Sequence, residues 1–84
     1  MYFIVPDPAT VEQVAALPIE ALPSYAEILS VLELKPWSGG PQHEGNPEGA
    51  VRYWLFGPGN AGQVVYLVLE QQREVHLLLV QWLG

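Results

Sequence analysis

Apolar residues along the chain fall into blocks separated by proline, glycine and short polar breaks. The strongest block is the last third, which runs QVVYLVLE, then QQRE, then VHLLLVQW. Runs of β-branched and aromatic residues around a short polar break predict two strands joined as a hairpin. Neither run alternates with polar residues, which marks strands covered on both faces. A third run, VRYWLF at 51–56, precedes a turn rich in glycine and proline. Three strands joined by short turns predict an antiparallel meander over 51–56, 63–70 and 75–82.

The first half carries a different period. Tyr2 to Val5 form a short strand ended by Pro6 and Pro8. Asp7 is an N-cap, with Pro8 at the first helical position. Val11, Val14 and Ala15 recur at helical spacing up to Pro18. A second helix is predicted over 20–34, with Pro23 in its first turn, where a missing N–H costs little. Leu22, Tyr25, Ala26, Leu29 and Leu32 make its inner stripe, Ile28 and Val31 widen it, and Pro36 stops it. A short link makes the two helices a helical hairpin. The expected fold is α+β: N-terminal strand, helical hairpin, then the meander, with both helices on one sheet face. Leu22, Leu29, Leu32, Leu67 and Leu78 are expected to be inaccessible.

The longest irregular stretch is KPWSGGPQHEGNPEGA at 35–50. Its one large apolar residue is Trp37, so Trp37 should pin one end while 39–48 stays mobile. Strand alternation puts Leu77 and Leu79 on one face, and Leu78 and Val80 on the other. One helical hairpin covers one face only. The uncovered face would then carry a large apolar patch and call for a partner.

Composition narrows the chemistry. Eighty-four residues, half of them hydrophobic, make one domain with a real core. No cysteine is present, which removes disulfides and thiolate metal sites. No apolar run is long enough for a membrane span and no leader pattern opens the chain, so a soluble cytoplasmic protein is expected. Net charge is −6, with Lys35, Arg52 and Arg73 as the only basic residues. Phosphate binding needs a basic footprint, so a basic protein partner suits this chain better than nucleic acid.

The order of elements, the loop ending at Arg52 and the tail VVYLVLEQQREVHLLLVQW resemble the RelE/ParE superfamily of toxins from type II toxin–antitoxin modules, across the whole chain. The resemblance implies a cognate antitoxin and one of two targets, mRNA on the ribosome or DNA gyrase. For the nuclease branch it implies metal-independent cleavage by Arg52, His76 and Tyr66, with no cofactor. The family's usual basic C-terminal cluster is replaced here by Gln81-Trp82-Leu83-Gly84. That departure points to the alternative, a non-enzymatic interaction module. A homodimer is a further way to cover the open face.

Each candidate has an ordinary structural role beside the catalytic one. Arg52 can stack on an aromatic ring or pair with Glu70. His76 can be a partly buried strand histidine, and Tyr66 a core residue. Arg73 and Glu74 decorate a turn. His43-Glu44 lacks the further ligands of a metal site. The glycine-rich segments lack the lysine of a phosphate loop.

Overall fold

The computed structural model describes residues 1–83. The chain is α+β, with a five-stranded mixed sheet and two helices. In chain order the elements are β1 (Phe3–Pro6), α1 (Pro8–Ala15), α2 (Leu22–Leu34), β2 (Gly40–Pro41), β3 (Val51–Phe56), β4 (Gly62–Leu69) and β5 (Glu74–Trp82). The sheet order is β1-β5-β4-β3-β2. The expected meander is present as β3-β4-β5, antiparallel throughout. Two strands flank it: β1 runs parallel to β5, and the two-residue β2 runs antiparallel to β3.

Local chemistry explains the first helix. Asp7 is extended, accepts a hydrogen bond from the Ala9 N–H at 3.1 Å, and precedes Pro8 in the first turn. The Thr10 hydroxyl, fully buried, donates to the Asp7 carbonyl at 2.7 Å. The helix stops at Ala15, two residues before the predicted end. The second helix starts later than expected, because Ile19–Ala21 form a separate 3₁₀ turn after Pro18. Between α1 and the segment from Ile19 to Leu34 the chain bends by 114°. The helices do not form the expected tight hairpin. Instead α1 packs on β5, and α2 on β1 and β3.

The core is one cluster. Tyr25, Ile28 and Leu32 of α2 meet Val64, Tyr66 and Val68 of β4 and Val75, Leu77 and Val80 of β5. Val14 and Leu17 join it from the first helical region, so both helices cover the same sheet face. Of the five leucines expected inside, Leu32 alone is fully buried. Leu22 and Leu78 are each 41% exposed, and Leu29 and Leu67 are half-buried. In α2 the buried stripe is rotated onto Ile28. That helix is apolar on most sides, so its pattern does not fix its phase.

Leu78 is outside for another reason. The register between β4 and β5 slips between Val65 and Tyr66, so Val65 faces Leu79 while Tyr66 faces Leu77. Leu78 is the extra residue of a β-bulge, which breaks the alternation. Leu77 and Val80 therefore both point into the core, and Leu78 and Leu79 both stay out of it. The strict alternation expected from the sequence does not hold here.

The bulged strand also outruns β1, which ends at Pro6 opposite Leu77. Beyond that point the Val80 N–H has no strand to bond, and the Gln13 Oε1 of α1 accepts it at 2.7 Å. No single helix among the described residues is long and apolar enough to cross a membrane.

Candidate functional site

Arg52 sits on β3 with its side chain on the helix-covered face, directly across from Tyr66. It is only 7% exposed. Its Nε and Nη2 donate to the Gly39 carbonyl at 3.0 and 2.8 Å. Its Nη1 donates to the Gly49 carbonyl at 3.0 Å and the Pro47 carbonyl at 3.2 Å. Four of the five guanidinium donors are thus engaged by main-chain carbonyls, and none by a carboxylate. The Trp37 ring lies 5.6 Å from the guanidinium carbon. Arg52 is the hub that folds the 39–49 loop onto the sheet. The loop is therefore anchored by polar bonds in the segment where the lack of apolar residues predicted mobility.

Tyr66 is fully buried and donates to the Pro36 carbonyl at 2.6 Å. Burial pushes its pKa up to about 12, against an opposing pull from Arg52. A phenol so placed holds its proton and has no room for a substrate. Gly39 completes the packing: a Cβ there would lie 2.0 Å from the Tyr66 hydroxyl.

His76 points to the opposite face. Its register partners are Leu67 on β4 and Val5 on β1, and its Nε2 lies 2.9 Å from Glu74 Oε1. The three sequence-predicted catalytic residues are thus divided: Arg52 and Tyr66 are neighbours under the helices, and His76 is alone on the open side. No group of three or more His, Cys, Asp or Glu side chains able to hold a metal exists among the described residues, and His43-Glu44 lie in an exposed loop.

A second polar hub has no signature in the sequence. Glu70 accepts from the Tyr2 hydroxyl, from Trp37 Nε1 at 2.7 Å and from Arg73 Nη1 at 2.6 Å. Arg73, in the left-handed region at φ 57°, also lays its guanidinium 4.1 Å from the Tyr2 ring centroid. Hydrogen bonds from Tyr2, Trp37 and Arg73, in that order, lower the Glu70 pKa to about 2. The Tyr2 hydroxyl is raised, chiefly by its bond to Glu70. Glu70 pairs with Arg73 and not with Arg52. Arg73 is accordingly a tie between the hairpin turn and β1, beyond the turn decoration expected of it.

The open features lie elsewhere. Ala50 bonds to Val68, so the even-numbered residues of β3 bond to β4 and the odd-numbered ones face the other edge. Val51 there accepts from Gln42, but β2 is too short to reach Leu55. The Leu55 N–H and C=O therefore open onto a free edge. Two clefts flank it. One, of about 360 Å³, includes Ser38, Gly40, Trp54 and Asn60; the other, of about 340 Å³, includes Ser24, Glu27, Ile28 and Val31 of α2. Together they make a groove with one free strand edge as its floor.

No family model, curated protein or solved structure matches the chain.

Proposed function

We propose that this chain is a RelE/ParE-like protein, the toxin component of a type II toxin–antitoxin module, and that it acts by binding and not by cutting RNA. Support for the family reading comes from the order strand, helix, helix, meander, with the first strand brought beside the last. Support for a non-enzymatic action rests on one observation above all: the Arg52 guanidinium is engaged by the chain's own carbonyls. Cleavage through a 2′-hydroxyl needs a base, an acid and free cations on the phosphate. Arg73 is paired with Glu70 and Arg52 is held by main-chain carbonyls, which leaves Lys35 as the one Lys or Arg side chain engaged by neither among the described residues.

The antitoxin segment that fits is extended and basic. Its main chain would pair with Leu55 at the free edge of β3, and its cations would meet Glu27 in the groove, drawn by the chain's net charge of −6. Expression of the chain alone, and with the product of the neighbouring reading frame, tests this reading. The expected result is growth arrest without new mRNA 5′ ends, relieved by the partner. Glu27→Lys should weaken the complex and leave the fold intact. Robust cleavage that survives in wild type but disappears in His76→Ala would favour ribosomal mRNA as the target. Altered plasmid supercoiling would favour gyrase.

A further inference from the structure

We infer that the open face of the sheet is a self-association surface, on which a second copy of this chain packs sheet against sheet. The helices cover one face only, and the 35–50 loop meets the other at its β2 edge, where Gly40 lies close to the Tyr53 ring. Trp37, the residue best suited to cover it, is turned toward Glu70 and Arg52 on the helix side. The open face carries Phe3, Leu67, Leu69, Leu78 and Leu79 around a shielded Val65, while Leu55 lies at the groove edge. Phe3 is 72% exposed. The bulge adds to this surface, because it turns two consecutive leucines outward where a regular strand would turn one.

Charge selects the occupant. The chain carries nine acids and a net charge of −6, so two copies repel through most of their surfaces. Five acids lie in or beside the helices, two in the 35–50 loop, and Glu70 at the hairpin turn. Glu74 is the only acid on the open face, and it is hydrogen-bonded to His76. A basic partner has nothing to grip there, whereas a like-charged copy meets no repulsion. Five strands spaced about 4.8 Å apart, the longest about 27 Å, give a plan area of about 500 Å² before side-chain relief. That approaches the roughly 800 Å² per partner of a standard interface. The groove beside β3 stays free, so self-association and partner binding use different surfaces, and the dimer stands whether or not the toxin reading holds.

Sedimentation equilibrium of the full chain at micromolar concentration tests the inference. Wild type should show twice the 9.3 kDa chain mass at low and at high salt. Leu78→Lys and Phe3→Lys should each raise the dimer dissociation constant by about a hundredfold, because a lysine would be trapped in an apolar interface. Both side chains are exposed in the single chain, so circular dichroism should be unchanged and the melting temperature should fall only by the stabilisation that dimerisation gives wild type. Leu34→Lys, exposed on the helix side, should leave the dimer intact. A wild-type mass of 9.3 kDa across the micromolar range overturns the inference, as does a dimer that survives both face variants. A monomer whose open face instead takes up the neighbouring gene product overturns it equally.

Discussion

Arg52 carries the most consequential contacts of any single residue. Truncation to Ala leaves the Gly39, Pro47 and Gly49 carbonyls without their donor beneath a packed loop. The expected cost is about 2–4 kcal/mol, read as a lowered urea midpoint, and it should appear whether or not any activity is assayed. Gly39→Ala should also destabilise, by roughly 1–3 kcal/mol, because the new methyl meets the Tyr66 hydroxyl. Glu70 gives a pH signature. Its pKa is about 2 in the folded chain against an ordinary 4.5, so the unfolded chain binds the extra proton first. The stability it contributes is complete above the ordinary value and is lost as pH falls from there toward 2. Glu70→Gln should flatten that part of the acid limb in a pH series of thermal melts. Sequence singled out Arg52 and Tyr66 as candidate site residues but could not assign their partners. The carbonyls that meet them belong to glycines and prolines, whose side chains announce nothing.

At the scale of elements, the strands and the N-cap of α1 were legible because alternation, proline and Asp7 act locally. The phase of α2 and the bulge in β5 were not. An apolar helix has several faces it could bury, and a bulge inside an unbroken run of leucines changes no residue type. Leu32→Ala should therefore cost about 2–5 kcal/mol, while the same change at Leu22 should cost well under half as much. At the sheet margin, Gln13→Ala removes the acceptor for the Val80 N–H. The expected loss is about 1 kcal/mol, with hydrogen exchange accelerated most at the Val80 amide.

For the whole molecule, the two free surfaces differ in kind. The groove beside β3 carries one acid, Glu27, and offers main-chain bonds, so a complex with a basic segment there should weaken as salt rises. The open sheet face is apolar, so contacts there should persist. Titration of one preparation with salt, followed by sedimentation, separates the two. The candidate catalytic set was the least legible part of the chain. Faces of a sheet are assigned by register, and the register of β5 turns on a bulge that puts Leu77 in the core while His76 stays on the open side.

The place of β5 between β1 and β4 also has a consequence in time. A ribosome makes β1 first and β5 last among the strands, yet β1 has no other neighbour in the sheet. Until Val75, Leu77 and Val80 emerge, both helices lack much of the floor they rest on. The nascent chain should thus stay open and protease-sensitive until β5 has emerged, then close around that strand. Ribosome-arrested chains stopped before Glu74 should be digested quickly, and chains extended past Leu83 should resist. Whatever this fold binds, it becomes able to bind only once β5 has left the ribosome.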